Sequence, residues 1–389
     1  MQHTVTRRHF LGITGAAAAA LSSPMILGAT QAPKVERMSL KTLNPDRAAY
    51  LGWPTIARTS AGELLVVCSG GREGHVCPFG QVWLYRSHDD GETWTWPQTI
   101  YDSPIDDRDA GILVTAQGTI LITSFTSLAY WEGHLEQETE ARKSGTGRWN
   151  DERFMRWSAV HRRIPEPERD LGCWLFRSVD GGLNWAARID SLVNSPHGPI
   201  QLKDGRVFYP GKELWKTPKR NGCSVSEDDG ATWRWDSEIP TRPGDDPEGY
   251  HELHGVETDS GKLIVQIRNH NPPNVLETLQ TESSDGGKTW STPRAIGVWG
   301  LPSHLLKLSD GRILMTYGYR RPPFGNQARI SENEGQTWSE PITLSDDGIG
   351  VDLGYPSTVQ LDDGSLATVW YEVRAGSSNA VLRIARWRL

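Results

Sequence analysis

Five times the chain writes a close variant of one octapeptide, Ser-x-Asp-x-Gly-x-Thr-Trp, at residues 87–94, 178–185, 226–233, 283–290 and 331–338. The second copy has Asn184 for the Thr and the fifth has Asn333 for the Asp. A supersecondary unit repeated at intervals restricts the chain to repeat architectures. Each part of the box suits a tight turn. Asp89 and its equivalents can accept backbone N–H groups, Gly91 permits positive φ, and Trp94 can fold back over the turn. The box therefore reads as a hairpin brace and not as catalytic machinery.

A second periodicity runs beside it: an apolar strand, a turn with Gly, and another apolar strand. It occurs at 55–68 around Gly62, 111–124 around Gly118, 199–210 around Gly205, 255–267 around Gly261, 305–317 around Gly311 and 358–370 around Gly364. Six such hairpins and five boxes imply six four-stranded modules, the last without a box. Radial repetition of four-stranded sheets protects their edges, so the expected fold is all-β, one six-bladed β-propeller. The last blade ends at 380–389, and its outermost strand is expected from the N-terminal segment 34–43.

Residues 1–32 carry Arg7-Arg8 and an apolar small-residue run from Gly12 to Ala20. This resembles a twin-arginine export signal, which implies a periplasmic or secreted protein and a propeller domain over 33–389. Removing the two arginines takes the formal charge from −7 to −9. An acidic surface argues against nucleic acid or an anionic membrane as partner, and no other segment has the length of a span. Cys68, Cys77, Cys173 and Cys223 are too few for a disulfide scaffold. Cys68, Cys173 and Cys223 sit in or beside apolar strand patterns and read as buried thiols, with a Cys68–Cys77 bridge as an alternative.

Propeller topology turns this into a map. Boxes and Gly turns fall on one face, while loops from second to third strand and from blade to blade fall on the other. The second face collects Arg72, His75, Asp107, Arg108, Asp109, His197, His251, Glu252, His254, Arg268, Arg320, Arg321 and Glu372 around a central depression, the default site for a small ligand. An insertion at 130–172, rich in Trp, Arg and His, belongs to that face and could cover the depression as a lid. His251 and His254 flank Glu252, but strand alternation puts 252 and 254 on one face and 251 on the other. No cluster completes a metal site, and no cofactor is expected.

At these residues the chain resembles the sialidase superfamily, whose members join a six-bladed propeller to such boxes. The most specific segment is residues 354–372, GYPSTVQLDDGSLATVWYE. It is similar to the segment in which a Tyr acts as nucleophile and a Glu follows, which places those roles on Tyr355 and Glu372. His251-Glu252-Leu253-His254, followed by Gln266 to Asn269, is similar to the Glu that activates the Tyr and an Arg that binds the substrate carboxylate, giving Glu252 and Arg268. The chemistry is coherent. A phenol with a pKa of about 10 needs a neighbouring base, and arginine suits a carboxylate.

The chain also departs from that pattern. Gly52-Trp53-Pro54 stands where the family has Arg-Ile-Pro, so the first carboxylate arginine is missing and Glu372 needs another role. A third arginine has no clean counterpart beyond Arg320 or Arg321. The loop expected to hold the acid/base Asp lacks one, leaving His75, Asp107 or Asp109 as acid. Arg72, Arg108, His197, His251, Arg268, Arg321 and Glu372 are the expected substrate-binding set. The resemblance implies a retaining exo-glycosidase releasing a terminal, acidic sugar from a glycan. The alternatives are a lyase or inverting glycosidase using His197, His251 or His254, and a glycan-binding propeller without turnover.

Overall fold

The computed structural model describes residues 34–43, 49–377 and 379–389. The export-type segment 1–32 lies outside the described residues. Six four-stranded antiparallel sheets make the ring. Blade 1 comprises Tyr50–Arg58, Leu64–Arg72, Gln81–Ser87 and Gln98–Tyr101. Blade 2 comprises Asp106–Val114, Ile120–Ser127, Cys173–Ser178 and Ile189–Asp190. The inner strands of blades 3 to 6 are Ile200–Gln201, Tyr250–Glu257, Ser303–Lys307 and Leu353–Gln360. Blade 6 is completed from the N-terminal side, where Glu36–Thr42 pairs antiparallel with Ala380–Arg388 outside it. That pairing joins the two ends of the described chain in one sheet and closes the ring.

The boxes work as braces. In the first, Ser87 Oγ donates to Asp89 Oδ1 and accepts from Gly91 N, while Asp89 accepts from Thr93 N and Oγ1. Gly91 has φ +87, a conformation that favours glycine, and Trp94 Nε1 donates to its carbonyl at 3.1 Å. In the second box Asn184 Nδ2 replaces the Thr hydroxyl on Asp180 at 2.7 Å, so that departure keeps the brace.

Apolar side chains from neighbouring blades form the core. Leu64, Val66 and Trp83 of blade 1, for example, share a buried cluster with Val369, Leu382 and Ile384 of blade 6. All four cysteines are free and buried, so the Cys68–Cys77 alternative is not adopted. An axial channel of about 200 Å³ is lined by Ile56, Ile112, Ile200, Leu305 and Val359, with His197, His254 and His304.

The insertion folds as a short π-helical turn, Trp131–Leu135, then α1, Glu136–Lys143, and α2, Asp151–Arg162. Asn150 caps α2 by accepting from Arg153 N at 2.8 Å. These helices pack on the flank of the blade 1 loop at 72–80, through a cluster of Cys77, Ile105, Leu128, Tyr130, Leu135 and Trp157. No helix among the described residues is long and apolar enough to cross a membrane.

Candidate functional site

One backbone device builds the depression. The inner strands of blades 1, 2, 4 and 6 each slip register, between Gly52 and Thr55, Arg108 and Gly111, His251 and His254, and Gly354 and Ser357. Inside each slip sits a non-glycine residue at positive φ: Trp53 at 53°, Asp109 at 45°, Glu252 at 46° and Tyr355 at 54°. Left-handed backbone costs such residues about 1–3 kcal/mol each, and a bulge re-aims a side chain that strict alternation would bury in a sheet. The four side chains converge. This corrects the alternation expected around Glu252: Glu252 turns to Tyr355, His254 enters the axial channel, and His251 lies against His270 with ring centroids 4.7 Å apart.

Tyr355 Oη donates to Glu252 Oε1 at 2.5 Å, and Arg268 Nη1 donates to Glu252 Oε2 at 2.6 Å and to Tyr355 Oη at 3.3 Å. Arg268 Nε is held by His270 Nε2 at 2.8 Å. Burial works against an ionised Glu252, but the Arg268 charge and the hydrogen bonds from Arg268 and Tyr355 outweigh it, and its pKa lies below the usual carboxylate value. Burial and the Glu252 charge push the Tyr355 phenol well above its ordinary pKa. The arrangement thus keeps a neutral phenol beside an ionised carboxylate, ready to pass its proton as the oxygen attacks an electrophile.

Asp109 has no hydrogen-bond or ion-pair partner among the described residues. Burial and the nearby Glu252 charge raise its pKa to about 7 against the pull of Arg108, Arg72 and Arg268. It is therefore divided between acid and carboxylate near neutral pH. Arg320 donates Nε to Leu353 O at 3.0 Å and lies over the Tyr355 ring, 5.8 Å from its centroid.

A second acid–base pair stands beside these groups. His75 Nδ1 lies 2.9 Å from Asp352 Oδ1, and Asp352 also accepts from Tyr50 Oη at 2.9 Å and Tyr371 Oη at 3.0 Å. Burial would raise the Asp352 pKa, but the bonds and charge of His75 and the two phenols hold it below its ordinary value. The carboxylate acceptor makes Nδ1 the protonated nitrogen and leaves Nε2 as the exchangeable one. The His75 side chain is 49% exposed, at the edge of the depression, its ring 5.0 Å from Trp53.

Other expected site residues are engaged elsewhere. Arg72 is buried on Asp106, with Nη1 at 2.6 Å and Nη2 at 3.0 Å, so it is a structural cation and not a rim group. Asp107 is buried, accepting from Ser103 N at 2.7 Å. Glu372 is buried against Arg383 and accepts from Trp370 Nε1 at 3.1 Å. Arg321 stacks outward on Trp299 at 3.6 Å, whereas Arg320 faces Tyr355. Arg108 lies over Trp53 at 4.6 Å. His197 sits below Tyr355 in the channel, with ring centroids 6.3 Å apart. Among the described residues no group of His, Cys, Asp and Glu is arranged to hold a metal ion. Sequence reasoning missed Asp352 and Tyr50 as partners of His75, and Tyr371 as a second phenol on Asp352. Asp352 and Tyr50 precede the blade 6 and blade 1 bulges, and only the closed ring brings them together.

Residues 168–368 match the family described as BNR repeat-like domain. A protein of unknown function from Dyadobacter fermentans DSM 18053 has the same fold, with a TM-score of 0.73 at 23% identity, over 92% of this chain and 100% of that one. The Hadza microbial sialidase Hz136 aligns with a TM-score of 0.61 at 18% identity, over 86% of this chain. The Trypanosoma rangeli sialidase, solved in complex with sialic acid, aligns at 0.59 and 18%, over 92% of this chain. This chain spans 65% and 60% of the length of those two sialidases, so the likeness to them is one of fold. With more than half of the chain in the family match and the six-bladed ring complete, the protein belongs to the BNR repeat-like family and has a sialidase-like fold.

Proposed function

We propose that the protein is an exported exo-glycosidase that releases a terminal acidic sugar from a glycan, with retention, through a tyrosyl–enzyme intermediate. The observation that carries this reading is the Tyr355–Glu252–Arg268 triad, in which the phenol already donates to its base. In the first step Tyr355 Oη attacks the anomeric carbon as its proton passes to Glu252. The glycosidic C–O bond breaks, and the leaving oxygen takes a proton from His75 Nε2, with Asp352 steadying the imidazolium. In the second step neutral His75 takes a proton from water, the resulting hydroxide equivalent displaces Tyr355 from the anomeric carbon, and the phenoxide recovers its proton from Glu252. Both histidine transfers cancel over the cycle.

Arg268 and Arg320 are the cations available to a substrate carboxylate on the side of Tyr355, and Gly52 stands at the position of the absent arginine. Asp109, protonated in part, would donate to a sugar hydroxyl. The export-type segment 1–32 would carry the propeller to the periplasm or outside the cell, where glycans are met; fractionation with and without Arg7 and Arg8 tests that.

A second reading, a lyase or inverting glycosidase, draws on the His75–Asp352 pair, since such a pair abstracts or delivers protons without a covalent intermediate. One experiment separates the two. Wild type and Tyr355→Phe are tested on terminal α- and β-glycosides of sialic acid, uronic acids, rhamnose and neutral sugars, and the first-formed anomer is read by NMR. Retained configuration that vanishes in Tyr355→Phe supports the tyrosine mechanism. Turnover that survives the substitution overturns it in favour of the His75–Asp352 chemistry, and silence of the wild type across the panel leaves a glycan outside the panel or a binding propeller.

A further inference from the structure

We infer that the helical insertion is a buttress for the His75 loop, with Glu73 as the positioning residue that couples the two. This rests on the reading of His75 as the acid. The end of the second strand of blade 1 and the loop to the third contain Gly71, Gly74 and Gly80, and Gly71 has φ +69. Such a segment has little conformational preference of its own. Two external anchors fix it.

On the propeller side, Arg72, locked on Asp106, donates Nε to Gly74 O at 3.2 Å and Nη2 to His75 O at 2.9 Å. On the insertion side, Glu73 Oε2 accepts from Trp157 Nε1 at 3.0 Å, and Glu73 Oε1 is 2.7 Å from Arg156 Nη1. Beyond His75 the chain plugs Val76, Cys77 and Phe79 into the apolar cluster around Trp157. Both anchors from the insertion therefore flank one residue. Within residues 71–80, His75 alone is exposed.

The donor from α2 is itself held. Trp157 is fully buried, with its ring 4.6 Å from that of Trp149, and the Arg153 guanidinium lies over both rings at 4.5 and 4.9 Å. The insertion thus transmits the position of a rigid helix to the backbone on either side of His75, and so to the distance between His75 and Asp352. It serves the site by bracing the loop from the flank, which differs from the lid that its sequence suggests.

The test compares two leaving groups. A glycoside with a poor leaving group needs a proton from the acid, while one with an activated aryl leaving group does not. His75→Ala is expected to lose about 10²–10⁴-fold in kcat on the first and little on the second. Glu73→Ala should show the same selective loss, on the order of tenfold, with KM unchanged, and Glu73→Gln, which keeps an acceptor for Trp157, should recover part of it. Equal loss on both substrates, or no loss, overturns the proposal.

Amide hydrogen exchange gives a second readout that needs no turnover. Exchange in residues 71–80 should quicken in Glu73→Ala while the blade strands stay protected. Unchanged exchange in that loop overturns the buttress. A wild type inert on every glycoside overturns the glycosidase reading alone, and the exchange result still decides whether Glu73 positions the loop.

Discussion

Tyr355 Oη donates to Glu252 Oε1 at 2.5 Å although the two residues lie 103 positions apart, on the sixth and fourth blades. Each reaches the other because its own strand is bulged at positive φ. The contact is therefore specified twice, once by each blade, and closure of the ring sets its length. Arg268, one strand out from Glu252, ties the same two oxygens from a third direction.

Removing the phenolic oxygen should abolish turnover while leaving the fold intact. Tyr355→Phe deletes one hydrogen-bonding group, worth about 1 kcal/mol, and leaves Glu252 on Arg268. A fall in kcat of at least about 10³-fold with an unfolding midpoint near the wild-type value is expected, and Glu252→Gln should match it. Steady-state kinetics beside thermal denaturation checks both. A comparable loss of stability would mean that the pair is a structural tie.

The ring was legible because its signals are local. The Ser and the Asp, or Asn333 in the fifth copy, of each box bond to backbone groups within four residues, so a short pattern encodes a complete brace. That Tyr355, Glu252 and Arg268 lie together was legible through motif resemblance. Arg72 and Glu372 were misplaced because an arginine or glutamate on a rim loop carries no mark of an internal partner: Asp106 lies 34 positions from Arg72, and Arg383 lies 11 from Glu372. The bulges hid the rest. Alternation along the strand at Glu252 gives the wrong partner for His254, and no residue pattern marked His75 and Asp352, 277 positions apart, as neighbours.

The two adjacent arginines after the blade 5 strand should separate cleanly. Arg320 faces Tyr355 while Arg321 stacks on Trp299. Arg320→Ala is expected to raise KM for an acidic glycoside by about 10- to 100-fold, the size of a charge-assisted hydrogen bond. Its effect on a neutral analogue should be small, and Arg321→Ala should stay within about twofold on either. Equal effects of Arg320→Ala on acidic and neutral substrates would remove it from the carboxylate site.

Asp109 should give the alkaline limb of the pH profile. Its folded pKa of about 7 means that the neutral, donating form is lost as pH rises through 7, so kcat/KM should decline above that value. Asp109→Asn, a permanent donor, should flatten the decline. Stability follows the same sign. The unfolded carboxyl titrates near 3.9, so the native state holds the extra proton between about 4 and 7 and loses stability as pH rises through that window. Asp109→Asn should therefore be more stabilising at pH 8 than at pH 4, by urea unfolding.

The axial histidines should make the propeller acid-labile above the ordinary carboxylate range. Ring centroids of His197, His254 and His304 lie 4.5–5.5 Å apart. His254 Nδ1 accepts from Leu305 N at 3.0 Å, while both ring nitrogens of His197 are buried without a hydrogen-bond partner among the described residues. Burial, with repulsion from neighbouring imidazoles for His197 and His254, drives those two well below their ordinary pKa; burial alone takes His304 to about 3. The unfolded histidines titrate near 6.5, so the unfolded chain takes up protons that the native channel refuses, and stability is lost as pH falls below about 6.5. Each group contributes up to about 1.4 kcal/mol per pH unit, and Asp109 acts with the opposite sign over part of the same range. Urea midpoints at pH 7.5 and 5.5 are therefore best compared in Asp109→Asn. A marked drop at pH 5.5, reduced by His304→Gln, is expected, and equal midpoints would mean that the cluster is protonated in the native protein.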